Sequence, residues 1–129
     1  MRESSVESLL LLATLFVIHE KHAKALTLLE GLYDLNPKDE RVLRLLVHSL
    51  VMEGQYERSL AMVQELLAAA GGTLHGEDMA CALRLKASAL WNLGRREESR
   101  ATLDQSIACL PSAARAEEPA KAPKRSFWG

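Results

Sequence analysis

Leu9, Leu12, Ala13 and Phe16, followed by Ala25, Leu29 and Leu32, place apolar residues three and four apart, the spacing of helices that bury one face. The series restarts 34 residues on with Leu43, Leu46, Val47, Leu50, Ser59, Val63 and Leu66. A third series, Leu83, Ala87, Leu90, Ser99 and Leu103, follows at a spacing of 40, which requires six extra residues around Gly71-Gly72-Thr73. Gly54 and Gly94 stand between helical runs and suit the left-handed conformation that turns one helix into the next. Asn36-Pro37 ends one helix, because the residue before proline is pushed out of the α region, and offers Asn36 as N-cap and Pro37 as first residue of the next. Ser4 with Glu7 reads as a capping box. Six helices are predicted, near 5–18, 22–35, 37–52, 56–69, 77–92 and 96–109, with Ala70 to Gly76 as a glycine-rich surface loop. The absence of alternating β-branched residues argues against sheets.

The residues just named resemble the tetratricopeptide repeat, a unit of about 34 residues in which large, small and helix-terminating residues recur at fixed places. Leu9, Ala13, Ala25 and the closing Pro37 mark the first copy, Gly54, Tyr56 and Ser59 the second, and Gly94, Ser99 and Pro111 the third. Glu20 replaces the turn glycine of the first copy, and Lys86 replaces a large apolar residue of the third. The resemblance implies an all-α, right-handed α-solenoid of three helix-turn-helix repeats, at about 6–39, 40–73 and 80–111, in a single domain over 1–110.

Composition adds a tail. From Pro111 onward prolines and alanines dominate, with four basic and two acidic residues, so a segment of net +2 follows a body of net −3 in a chain of net −1. Residues 111–129 read as a disordered Pro/Ala/Lys tail whose Phe127-Trp128 tip is unusually apolar. The balanced charge and the lack of aromatics interleaved with Lys or Arg give no sign of nucleic-acid binding. Leu9 to Ile18 is too short to span a membrane and lacks a signal-peptide cleavage pattern. Cys81 and Cys109 make no disulfide framework, and a reduced, cytoplasmic setting follows.

Catalytic chemistry is hard to find. His19 and His22 share a metal-compatible spacing but straddle a predicted turn without a further ligand, so they read as solvated turn residues. No nucleophile with a base and no phosphate-cradling loop is present, and neither an enzyme nor a cofactor or metal is expected.

The concave face remains. In the repeat family it is lined by the first helix of each unit, which here places Leu10, Thr14, Val17 and Ile18, then Arg41, Arg44, His48, Val51 and Met52, then Arg84, Ser88 and Trp91 in a partner-binding groove. The first helix is apolar nearly all round, so Leu10, Val17, Ile18, Val51, Met52 and Trp91 are expected to form an apolar floor beyond the needs of repeat packing. Arg41, Arg44 and Arg84 flank it and suit carboxylates of a bound segment.

With three repeats and an apolar first helix, the chain resembles the small tetratricopeptide chaperones of bacterial type III secretion. The passage through Leu28-Leu29-Glu30-Gly31-Leu32, Leu35-Asn36-Pro37 and Gly54-Gln55 is most similar to the Y-type (YscY-like) member, with the needle-chaperone G-type the near alternative. The resemblance implies a cytoplasmic protein that holds a small helical protein or peptide, an export substrate or co-chaperone; the apolar first helix and groove, left in water, lead to the expectation of a homodimer when the chain is alone. A generic adaptor or self-associating scaffold outside secretion is the other class the same features allow.

Overall fold

The computed structural model describes residues 3–72 and 76–110. Among them are six helices and no strands: α1 (Glu3–Ile18), α2 (His22–Leu35), α3 (Glu40–Met52), α4 (Tyr56–Ala70), α5 (Gly76–Asn92) and α6 (Arg96–Ala108). Each packs on the next, and the first helices of successive repeats also touch, α1 on α3 and α3 on α5. This is the predicted three-repeat solenoid.

The turn within each repeat is the same device three times. Its last residue but one has positive φ: 60° at Glu20, 78° at Gly54 and 85° at Gly94. The next amide reaches back to a carbonyl five residues earlier, Lys21 to Phe16 at 2.7 Å and Gln55 to Leu50 and Arg95 to Leu90 at 2.9 Å. That six-to-one bond satisfies a carbonyl left open at the helix end. The offsets between these bonds are 34 and 40, so the shifted register of the third repeat is correct.

Small residues let the two helices of a repeat approach. Ala13, Val47 and Ala87 on the first helices and Ala25, Ser59 and Ser99 on the second are all buried to 2% exposure or less. Where the second partner is serine, its hydroxyl must find an acceptor in the dry crossing. Ser99 donates to the Ala87 carbonyl and Ser59 to that of Tyr56, both at 2.8 Å. Leu29, Leu43, Leu46, Leu50, Val63 and Leu66 fill the core between neighbouring repeats.

Two predicted caps are wrong. α3 starts at Glu40, not Pro37: Asn36 closes α2, and Asp39 is the N-cap, its carboxylate accepting from the Arg41 amide at 3.0 Å. The Arg41 side chain holds the Asp39 carboxyl below its usual range. Both Asn36 and Asp39 are good N-caps by type, and the chain needs the residues between them to turn from α2 into the next repeat. α1 is already helical at Glu3, so Ser4 lies inside the helix and not at its cap. The predicted insertion loop is shorter than expected, since α4 runs through Ala70, Gly71 caps it with φ 65°, and α5 begins at Gly76. Thr73, Leu74 and His75 of that insertion, Pro111, and the predicted tail 111–129 with Phe127-Trp128 lie outside the described residues.

A non-glycine side chain in the left-handed region costs of order 1 kcal/mol. Glu20→Gly is therefore expected to stabilise the chain by about 0.5 to 1 kcal/mol in urea unfolding, whereas Gly54→Ala destabilises by about as much. Ala25, at 0% exposure, sets the first crossing. Ala25→Leu should cost about 1 to 3 kcal/mol by overpacking, visible as a lowered Tm; an unchanged Tm would disprove the crossing.

Candidate functional site

The side chains that face away from the second helices form rows, because equivalent positions recur at offsets of 34 and 40. Glu7, Arg41 and Cys81 make one row, Leu10, Arg44 and Arg84 the next, then Leu11, Leu45 and Leu85, then Thr14, His48 and Ser88. Two adjoining hollows follow these rows. The first, about 480 Å³, lies between α1 and α3 and is lined by Glu7, Leu10, Leu11, Thr14, Arg41, Arg44 and Leu45. The second, about 280 Å³, lies between α3 and α5 and takes Val17, Arg44, Leu45, His48, Leu66, Asp78, Cys81, Ala82 and Leu85. Arg44 and Leu45 are shared, so the hollows are parts of one channel across the first helices.

The predicted groove residues divide accordingly. Leu10, Thr14, Arg41 and Arg44 line the first hollow, and Val17, Arg44 and His48 the second. Ile18 and Met52 stand at 65% and 51% exposure without lining either, on the rim where each first helix ends. Arg84 is exposed and Ser88 half-buried, outside both hollows. Trp91, 46% exposed, carries the Arg96 guanidinium 4.3 Å from its ring centroid, a cation–π contact that covers one face. Val51 corrects the expected floor: at 5% exposure it is core, packed away by its own chain. Leu10, at 7%, likewise gives the groove only an edge. A helical wheel shows which residues share a face but not which face the neighbouring repeat covers.

The leucine row went unpredicted. Leu11, Leu45 and Leu85 occupy one repeat position in all three units, and Leu11 is 63% exposed. That identity was visible in the aligned sequence, and it is the signal that finds the row.

The cations are not free in the way expected. Arg41 bridges Glu7 at 2.6 Å and Asp39 at 3.0 Å, and Arg44 bridges Asp78 at 3.2 Å. The Glu7 and Asp78 pairs join one first helix to the next. Arg84 has no carboxylate partner among the described residues. Exposed pairs of this kind contribute about 0 to 1 kcal/mol, so a partner's carboxylate can exchange with them.

Behind the groove wall the His22 and His48 rings meet edge to face, 5.6 Å between centroids. His22 is thus half-buried against α3 and not a solvated turn residue, and its Nδ1 is buried without a partner. Burial, and then the neighbouring His22, push the His48 pKa below 6.5. No group of three or more potential metal ligands occurs among the described residues, and no helix there is long and apolar enough to cross a membrane. Cys81 is an exposed thiol in the second hollow, and Cys109 a partly exposed one.

Three stacked helix hairpins with an open channel across their first helices define a helical-repeat protein. Residues 17–76 match the tetratricopeptide repeat family, and the six helices are arranged as three tetratricopeptide-like repeats. In structure it is similar to the Yersinia enterocolitica type III secretion translocator chaperone SycD, crystallised as an alternative dimer, with a TM-score of 0.73 and 17% identity over 98% of this chain and 87% of that one. At that identity the likeness shows the fold. No curated protein matches the sequence.

The half-buried His48 makes stability depend on pH. Above about 6.5 His48 is neutral in both the folded and the unfolded chain; below it the unfolded chain takes up the proton first, so stability falls as pH drops. The Tm should decline from pH 7.5 to pH 5.5, and His48→Phe should flatten that decline. An equal slope in the variant would place the proton uptake elsewhere.

Proposed function

We propose that the chain is a non-enzymatic, cytoplasmic protein-binding chaperone of the type III secretion class, holding a small helical export substrate or subunit in its concave channel. The fold shared with SycD, a translocator chaperone, supports the class. The observation that carries the binding mode is the row Leu11, Leu45 and Leu85, which runs across all three repeats and borders both hollows, with Leu11 63% exposed and Leu45 and Leu85 half-buried.

The row also suits a helix. Packed helices lie about 8 to 10 Å apart, so successive leucines of the row step by about that distance. A ligand helix rises about 10.5 Å in seven residues. Apolar residues at every seventh position of an amphipathic segment would therefore meet Leu11, Leu45 and Leu85 in turn. Thr14, His48 and Ser88 supply polar contacts beside the row, and Arg84 a charge for an acidic side chain. Ile18, Met52 and Trp91 extend the apolar surface along the rim.

Co-expression with each small helical protein encoded beside this gene tests the reading. A 1:1 complex is expected for one of them, with Leu11→Glu and Leu85→Glu each weakening it at least about 30-fold, since a desolvated charge at a central contact costs about 2 kcal/mol or more. Both positions are partly solvent-accessible, so circular dichroism should show helicity retained. Undiminished capture by both variants would remove the channel from the account. Protection of the Cys81 thiol from alkylation in the complex, in a Cys109→Ser background, is an independent readout of the same contact.

A further inference from the structure

The outer side of the first repeat is a hollow. Leu9, Leu12 and Phe16 of α1 with Leu28, Gly31 and Leu35 of α2 border about 550 Å³ of it. Leu12 and Leu35 are 42% and 57% exposed. The chain itself shows what fills such a hollow, because it repeats it 34 residues on. There Leu43, Leu46 and Leu50 take the places of Leu9, Leu12 and Phe16, and they are at most 1% exposed, with α2 packed on their helix.

α2 achieves this with one stripe. Leu29 is fully buried, Glu30 pairs with Arg58 of α4 at 2.8 Å, and the Tyr33 hydroxyl donates to Glu65 of α4 at 2.5 Å. The same stripe recurs 74 residues later on α6 as Leu103, Asp104 and Ile107. Leu103 and Ile107 are 42% and 47% exposed, although Leu29 and Val63 at the position of Leu103 are at 0%. One end of the solenoid thus displays the knob and the other the socket of a joint the chain already makes internally.

The socket's two contact positions are changed to match. Arg58 corresponds to Lys24, a cation without a carboxylate partner among the described residues, and Asp104 stands where Glu30 stands. Glu65 corresponds to Gly31, in the middle of α2, where glycine is a poor helix former. A Cβ at Gly31 would meet nothing within 4 Å, so no contact inside the chain calls for glycine there. Ile107 has no hydroxyl to bond a carboxylate, and a bare backbone suits it.

We infer that α6 of one copy docks in the α1–α2 hollow of a second copy, setting Asp104 against Lys24 and Ile107 over Gly31, so that copies join head to tail and continue the solenoid. The contact is heterologous: each copy uses two different surfaces, and growth is open. It leaves the concave channel uncovered.

Sedimentation of the full chain over a range of concentrations tests this. The weight-average mass should rise with concentration, and Gly31→Trp, which fills the socket, and Leu103→Glu, which spoils the knob, should each sediment as a monomer. Mixed in equal amounts, the two variants should form a 1:1 dimer and nothing larger, because each keeps one intact end. Lys24→Glu and Asp104→Lys alter only exposed charges, so each should weaken association, and combining both in one chain should restore it. A wild-type chain that stays monomeric overturns the inference. So does a Leu103→Glu chain that still dimerises, which would indicate two-fold pairing of like ends, and so does failure of the two blocked variants to pair.

Discussion

Three residues with positive φ hold the rest of the structure in place. Glu20, Gly54 and Gly94 each close a turn whose back-reaching amide fixes the angle at which a second helix leaves the first. Only at that angle do the small residues at 13 and 25, 47 and 59, and 87 and 99 come together at 0 to 2% exposure. Once three crossings are alike, equivalent positions on the first helices fall into rows, and a row is what turns scattered side chains into a channel. The six-residue insertion between the second and third repeats does not disturb this, because it lies between hairpins and not within one. It changes the sequence offset while the turn geometry carries on.

The parts legible in the sequence are those where residue type alone decides the outcome. A glycine at a left-handed turn, a small residue at a crossing and a leucine in a core position each have few substitutes, so they reveal repeat number, register and helix count. Even Glu20 could be placed by phase, despite being the wrong residue type for its φ of 60°. Where two residues compete for one role the sequence is ambiguous: Asn36 and Asp39 are both good N-caps, and packing chose the second. Contacts across repeats were not legible. Glu7 with Arg41, Arg44 with Asp78, and His22 with His48 meet only because the solenoid brings separate helices together. Val51 was misplaced because a helical wheel does not tell which side of a first helix is covered, and at 5% exposure this residue is core.

Charges and leucines have different tasks in the channel. An exposed ion pair contributes about 0 to 1 kcal/mol and exchanges readily with a competing carboxylate. A leucine side chain taken from water contributes about 1.5 to 3 kcal/mol. In the proposed binding mode, affinity would therefore reside in the row Leu11, Leu45 and Leu85, while Arg41, Arg44 and Arg84 would set which way round an acidic segment lies. The internal pairs add selectivity, because a ligand without carboxylates gains nothing by breaking them.

The composition of α1 follows from these geometries. Successive residues of a helix point about 100° apart, so Leu10, Leu11 and Leu12, though adjacent in sequence, face three directions. Leu10 with Ala13 faces the core at 7% and 0% exposure, Leu11 faces the channel at 63%, and Leu12 with Leu9 and Phe16 borders the outer hollow. A helix stabilised only by its own fold needs one apolar stripe and gains solubility from polar residues elsewhere. Leucines on the other two sides oppose that solubility unless something covers them. Because the sides are set by angle and not by distance along the chain, cover on one leaves the other open, and a ligand in the channel need not compete with a neighbour at the end of the solenoid.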